Sequence, residues 1–361
     1  MKEVQLREVV DVYDNLRRPL STTTRSVIQG KYPYYSANGI IDSINRFIFS
    51  GEYILVAEDG SVRTDDGKPV LKLTKEDEQF WVSNHAHVLK AKDGILNKYL
   101  YYNLSQINVD QIITGAVQLK VSQENLLKLK VRLHSSEEQR HIVDTIGSVD
   151  DLIENYDNQT NEICSLLKTE LRKFSSVIPI SCYNPKIIKS GIKPFVATKI
   201  YLDTSSAEGI NEISSGEIVT FDKRPSRANM QPMANSVWFA KMKASNKIIV
   251  VSEDDDDLIT QNIFSTGFLG IEATKNLPLS LLTAFLISDD FRMKRDMGSV
   301  GTTMASINND SFLSITVPYL NNEEIDLFDS KYKYAIQKLC LLRRKIVHLR
   351  QLKTSLLKKY F

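Results

Sequence analysis

Three stretches of the chain concentrate arginine, lysine, amide and hydroxyl side chains. Asn15 to Arg25 reads NLRRPLSTTTR, which is basic and rich in hydroxyls. Gly30 to Gly39 reads GKYPYYSANG and places three tyrosines, a lysine and an asparagine in one turn-rich segment. Phe221 to Lys247 reads FDKRPSRANMQPMANSVWFAKMKASNK, basic again, with Asn, Gln and Trp238 interleaved. Lys and Arg neutralise phosphates, while Arg, Lys, Asn, Gln and hydroxyls bond the edges of nucleic-acid bases. The chemistry these residues suit is recognition rather than bond making.

Other residues invite catalytic readings but support them weakly. The chain has no Walker A loop, no dinucleotide glycine fingerprint and no nucleophile elbow. The Asn/Asp-Pro-Pro-aromatic loop of amino-methyltransferases is also missing, and Asn184-Pro185-Lys186 is the nearest approach. His85 and His87 alternate on one face of an expected strand and could begin a metal site. No third ligand lies nearby in sequence, so a structural role is expected, with no metal. Asp59 with Asp66-Gly67-Lys68 faintly resembles the acidic-acidic-lysine set of metal-dependent nucleases, but both Asp-Gly pairs read as turns. The EDDDD run from Glu253 to Asp257 reads as a solvated loop, since it lacks the alternating ligands and downstream Glu of a calcium site.

The elements that must carry these loops are set by an internal repeat. TGAVQLKVSQENLLKLKV from Thr114 to Val131 is echoed by VGTTMASINNDSFLSITV from Val300 to Val317, at a shift of 186. Gly115 meets Gly301, Val121 meets Ile307, Leu129 meets Ile315, and Glu137-Glu138 meet Glu323-Glu324. The register holds without a gap for about 60 residues. A second echo, Ser50-Gly51-Glu52 and Ser215-Gly216-Glu217, lies 165 apart; it suggests equivalent leads into strands with different loop lengths.

Each copy runs into a long amphipathic helix. In the first, Ile142, Ile146, Val149, Ile153, Tyr156, Ile163 and Leu167 step by threes and fours, interrupted by the polar Thr160. In the second, the stripe is Phe328, Tyr332, Ala335, Leu339, Leu342, Ile346 and Leu349, continuing to Leu356 or Leu357 and Tyr360. Such spacing predicts a coiled coil. At 1.5 Å per residue each helix is about 50 Å long, and its obvious partner is its own copy. The fold class expected is α+β, with two mixed α/β domains and two long helices pairing antiparallel about a pseudo-twofold axis. The expected boundaries are 1–136 and 177–322 for the domains, 137–176 and 323–361 for the helices, with Ser175 to Lys186 as a hinge.

Composition narrows the class further. A net charge of +2 on 361 residues rules out a global polycation, so any anion binding must be local. Three distant cysteines match neither a disulfide framework nor zinc spacing. No signal core follows Met1, and no run approaches the ~20 apolar residues of a membrane helix. A cytoplasmic protein without membrane contact is expected. The last helix, from Lys331 onward, carries ten Lys or Arg and no Asp or Glu, which suits DNA, an acidic partner or a solvated face.

PYYSANGIIDSINRFIFSGEYILVAEDG, then TGAVQLKV, SSEEQRHIV and the heptad helix resemble the specificity subunit of Type I restriction–modification systems. The resemblance covers nearly the whole chain, more loosely before Ser299 in the second half. It implies two target-recognition domains, each reading half of a bipartite, asymmetric DNA target, with the helices as a spacer. It implies a non-catalytic chain that recruits two methyltransferase subunits and motor-nuclease subunits. S-adenosylmethionine, ATP and magnesium would belong to those partners, with no cofactor in this chain. The residues expected to face DNA in the first domain are Arg17, Arg18, Arg25, Lys31, Tyr32, Tyr34, Tyr35, Asn38, Arg63, Lys68, Thr114, Gly115 and Gln118. In the second they are Lys223, Arg224, Arg227, Asn229, Gln231, Lys241, Lys243, Gly301, Thr302 and Thr303. Gly115 and Gly301 also fit simple turn roles. An alternative reading is a coiled-coil protein-interaction adaptor that reads no DNA sequence.

Overall fold

A computed structural model describes residues 2–115, 117–214, 216–301 and 305–361. By contacts the chain divides into two units, one formed by residues 1–151 with 351–361 and the other by residues 152–350. Both long helices, Ser136–Leu171 and Asn322–Tyr360, contribute to both units.

The first unit holds two four-stranded sheets. One runs in the order Val10–Val12, Ala86–Ala91, Ile54–Ala57, Leu71–Leu73, with every neighbour antiparallel. Its strand Ile54–Ala57 is an unbroken apolar run buried on both faces. The other runs Gly39–Ile44, Gln29–Ser36, Gln79–Val82, Phe49–Ser50, and only its middle pair is parallel. Lys2–Gln5 pairs antiparallel with Lys130–Leu133 beside these sheets.

The second unit repeats this plan of two four-stranded sheets and adds a hairpin of Ala207–Glu208 with Glu212–Ile213. Its first sheet is Lys186–Ile187, Phe268–Glu272, Ser236–Ala240, Ile248–Val251, all antiparallel. Its second is Glu217–Val219, Lys199–Leu202, Asn262–Ser265, Ala228–Met230, again with one parallel pair in the middle. Val177–Pro179 pairs with Thr316–Pro318 as Lys2–Gln5 pairs with Lys130–Leu133.

The match extends to helix caps. Ser122 Oγ accepts from the Asn125 amide and Asn308 Oδ1 from the Ser311 amide, each capping a short helix. Each long helix opens on a reciprocal capping box. Ser135 and Glu138 exchange backbone and side-chain bonds, as do Asn321 and Glu324. All four positions obey the 186 shift.

Two expectations are corrected. The Ser-Gly-Glu echo is not an equivalence. Glu52 leads toward Ile54–Ala57, whose counterpart is Ser236–Ala240, whereas Glu217 opens the counterpart of Gly39–Ile44; Ser215 lies outside the described residues. The segment read as a hinge is built into the second unit: Val177–Pro179 is a strand and Ile180 and Tyr183 are buried. Proline at a strand end costs no ladder bond, so Pro179 does not loosen it, and Pro185 directly precedes the strand Lys186–Ile187.

Within each unit the two long helices touch with opposite polarity. In the first, Lys353 Nζ lies 2.6 Å from Asp150, and Tyr360 contacts His141. Ile142 and Ile146 share an apolar cluster with Leu357. In the second, Lys331 Nζ lies 3.2 Å from Glu170, and Lys345 stacks on Tyr156. Ile163 and Leu167 share a core with Phe328, Leu339 and Leu342. Val149 and Ile346 are buried, and Ile153, Tyr156 and Leu349 are half-buried. The polar Thr160 opens on a cavity of about 300 Å³ lined also by Asp157, Asn161 and Arg350.

Leu167 is fully buried and Leu166 is 46% exposed. Leu167→Ala should therefore cost about 2–5 kcal/mol in urea unfolding, and Leu166→Ala well under 1 kcal/mol. Equal costs would mean that the buried seam does not hold this helix.

Candidate nucleic-acid interface

Arg17 follows a single 3-10 turn, Asp14–Leu16. Its guanidinium lies 2.6 Å from Glu58 and 3.3 Å from Asp14, and donates to the Ala86 carbonyl at 2.8 Å. The buried His87 presents Nδ1 to Asp14 at 2.6 Å and Nε2 to the Val121 carbonyl at 2.9 Å. Lys120 closes the group 3.1 Å from Glu58. The third ligand that the sequence did not show beside His87 is thus Asp14, 73 positions away.

Asp14, Glu58 and His87 converge closely enough for a metal ion. The Arg17 guanidinium already bridges both carboxylates, so the cluster is neutralised from within. Burial raises the Glu58 carboxyl, but the bonds from Arg17 and Lys120 and the charge of His87 outweigh it and hold it below the ordinary 4.5. His85 turns away to the surface, where Nδ1 lies 2.8 Å from Asp59. Asp66 pairs instead with Lys68 of its own turn and accepts from Thr64, so the two carboxylates of the nuclease-like set serve different local structures.

The remaining expected contacts in this unit divide into two kinds. Arg25 is held by Asp42 at 2.8 Å and the Leu20 carbonyl at 2.7 Å, and stacks over Tyr34. Tyr34 and Tyr35 are buried: the Tyr34 hydroxyl accepts from the Leu20 amide, and Tyr35 donates to Glu78 at 2.6 Å. These, with Arg17, form the frame. Arg18, Lys31, Asn38, Thr114, Gly115 and Gln118 are exposed. Tyr32 leans on Phe47, Arg63 pairs with Asp110 at 3.2 Å, and Lys68 reaches Asp66 at 3.2 Å. Gly115 has φ +93°, and a Cβ there would collide with the Gln118 carbonyl, so the tight hairpin between Ile113–Thr114 and Lys120–Val121 requires glycine.

In the second unit Arg224 stacks on Phe221 at 4.0 Å and bonds the carbonyls of Phe221 and Ala228, which shapes its own loop. Gln231 donates to the Ile259 carbonyl and accepts from Lys199. Asn229 is half-buried, and its carbonyl accepts from the Gly191 amide. Lys223, Arg227 and Lys243 are exposed and Lys241 is half-buried. The Lys243 amide bonds the Ala305 carbonyl, so this loop meets the repeated stretch. Gly301 takes φ +123°, whereas Thr302 and Thr303 lie outside the described residues.

The structure corrects one charge reading and places a second set of charges. Asp255, within the run taken as solvated, is 2% exposed; it lies 2.6 Å from the buried Arg343 and 2.8 Å from Arg344. The last helix spends much of its basic charge inside the units, with Lys331 on Glu170, Arg350 on Glu212 and Lys353 on Asp150. Lys333, Lys338, Lys358 and Lys359 remain exposed along it.

The arrangement is one of rigid sheets displaying polar loops, the cations divided between frame and surface. Residues 1–165 match the family model of the Type I restriction modification DNA specificity domain. Residues 1–151 of the first unit and most of the first long helix lie within that match. A Haemophilus influenzae chain named as a type I restriction enzyme specificity subunit is 29% identical over 144 residues, 40% of this chain and 36% of that one. The EcoprrI specificity subunit of Escherichia coli is 24% identical over 152 residues, 42% of this chain and 35% of that one. The match therefore spans about a third of the length of either relative. The S subunit of a Type-I restriction-modification system from M. genitalium shares the fold, with a TM-score of 0.53, 16% identity, and coverage of 100% of this chain and 96% of that one. Among the described residues no helix is long and apolar enough to cross a membrane.

In the first unit, Arg17→Ala leaves Asp14 and Glu58 without their guanidinium. The expected loss is about 3 kcal/mol near pH 7 in chemical denaturation. A carboxyl depressed by folding stabilises above its unfolded pKa and loses that contribution as pH falls through its folded value. The gap between wild type and Arg17→Ala should accordingly narrow as the pH drops below 4.5. A gap independent of pH would exclude Glu58 as the group concerned.

Proposed function

We propose that the chain is a specificity subunit that binds double-stranded DNA, each unit reading one half of a bipartite, asymmetric target. The observation that carries this reading is the duplicated sheet topology with unlike loops. One frame used twice, with different polar side chains at its surface, is what two independent half-site readers need. Phosphate contacts would supply most of the affinity, and base-edge contacts would discriminate by about 1–3 kcal/mol per good pair. The paired helices, stiffened by a buried seam, would set the separation of the half-sites.

The chain would do no chemistry itself. Two methyltransferase subunits and the motor-nuclease subunits would be positioned on the target by it, and S-adenosylmethionine, ATP and magnesium would act on those partners. Of the expected contacts, Arg18, Lys31, Asn38, Gln118, Lys223, Arg227, Lys241 and Lys243 stay in the proposed set because their side chains are not consumed in the frame. Arg17, Arg25, Tyr34, Tyr35 and Arg224 are proposed instead as its support.

Co-expression with a methyltransferase subunit, followed by mapping of methylated adenines across the host genome, tests the reading. The expected result is one motif of two short specified halves separated by unspecified bases. A contiguous motif, or methylation without sequence preference, would overturn it. Exchanging residues 177–322 for the corresponding segment of another specificity subunit should change one half of the motif and leave the other intact.

A further inference from the structure

The repeated frame allows position-by-position comparison of the two units, and at one place the charge inverts. The Glu58 amide donates to the His85 carbonyl at 2.9 Å, and the Lys241 amide donates to the Gly267 carbonyl at 2.9 Å. The Glu58 carbonyl accepts from the Val121 amide at 2.8 Å, and the Lys241 carbonyl from the Ile307 amide at 3.0 Å. The next residues form the same isolated bridges, Asp59 with Lys120 and Met242 with Ser306. Glu58 and Lys241 are therefore equivalent, and so are His85 and Gly267. On the same logic the Tyr13 amide bonds Val88 as the Ile188 amide bonds Gly270, which sets Asp14 against Lys189. His87 corresponds to Leu269.

In the first unit this position is closed by its own countercharges. In the second unit no countercharge stands there among the described residues. Glycine at 267 removes the side chain that His85 supplies, and the space is shared by Arg227 and Thr204: a Cβ on Gly267 would lie 2.9 Å from the Arg227 guanidinium and 2.9 Å from Thr204 Cγ2. The Arg227 carbonyl is fixed by the Thr266 amide at 2.9 Å, so the loop is anchored there. Lys241, half-buried, is the cross-strand neighbour of Gly267. Burial, and then the like charge of Arg227, pull its ammonium below the ordinary lysine value, with no carboxylate acting on it. Among the described residues Arg227, Lys241 and Lys243 make no ion pair. Two neighbouring cations, one of them half-desolvated and neither compensated, are unfavourable unless an anion completes the site.

We infer that Lys241 and Arg227, flanking Gly267, form a clamp for a phosphate of the duplex backbone, present in the second unit and replaced in the first by the Asp14–Glu58–Arg17 network. The inference rests on the DNA-binding reading above and adds the contact that holds one half-site. The two units then grip DNA unequally, with a fixed cation pair at this position on one half only.

The test uses the full chain, a mixed-sequence duplex oligonucleotide, and fluorescence anisotropy over a range of salt. The double variant Lys241→Gln, Arg227→Gln should bind more weakly, and its log–log salt slope should fall by about 0.9, the loss of one phosphate contact. Lys338→Gln, an exposed helix position, should keep the wild-type slope. Thermal unfolding without DNA should show the double variant as stable as wild type or more so, because a like-charge pair has been removed. Millimolar inorganic phosphate should raise the wild-type melting temperature more than that of the variant. Wild-type affinity and slope in the double variant would overturn the clamp while leaving DNA binding standing. Failure of the wild-type chain to bind the duplex would overturn both. A stability response to phosphate with an unchanged DNA slope would overturn the clamp as a backbone contact.

Discussion

The structure depends on the pairing of two long helices of opposite charge. The first, Ser136–Leu171, carries nine Asp or Glu against two Lys or Arg. The second carries ten Lys or Arg and no acid from Lys331 onward. The apolar seam supplies the energy, since each buried Leu or Ile is worth several times an exposed ion pair. The charges do something the seam cannot. A stripe of Leu, Ile and Tyr is nearly indifferent to direction, whereas Asp150 on Lys353 in one unit and Glu170 on Lys331 in the other are satisfied together only in one polarity. Of the cations on the basic helix, Lys331 and Lys353 pair with the acidic helix, while Arg343, Arg344 and Arg350 pair with Asp255 and Glu212 of the second unit.

The sheets around this pairing show how a frame can be kept while its surface is rewritten. Strand order, the single parallel pair, the short caps and the reciprocal boxes recur in both units. What they hold in common is backbone hydrogen bonding, which is blind to side-chain charge. Glu58 and Lys241 occupy the same hydrogen-bonded place with opposite sign. A frame held by amides and carbonyls leaves its outward side chains free to vary.

The acidic network of the first unit illustrates the cost of such freedom. Arg17, Asp14, Glu58 and His87 lie on a turn and two strands and satisfy one another in a partly buried place. The second unit replaces this group wholesale, with Lys189, Lys241 and Leu269 at equivalent positions. Replacing only one member would leave an unpaired buried charge, so such clusters change together or not at all.

The sequence alone determined the repeat, the two long helices and the apolar strands, because each is written in local period: threes and fours for the helices, unbroken or alternating apolar runs for the strands. It also determined which loops are rich in phosphate-binding side chains. Tertiary structure decided which of those side chains remain available. Arg17 and Arg18 are neighbours of the same type, yet one is locked between two carboxylates and the other is exposed. Asp255 reads as one more acid in a solvated run, yet it is buried against Arg343, 88 positions on. Such pairings are set by how sheets and helices close over long stretches of chain, and no local spacing encodes them. A residue's type states what it can bind; only its neighbours in space determine whether it is already bound.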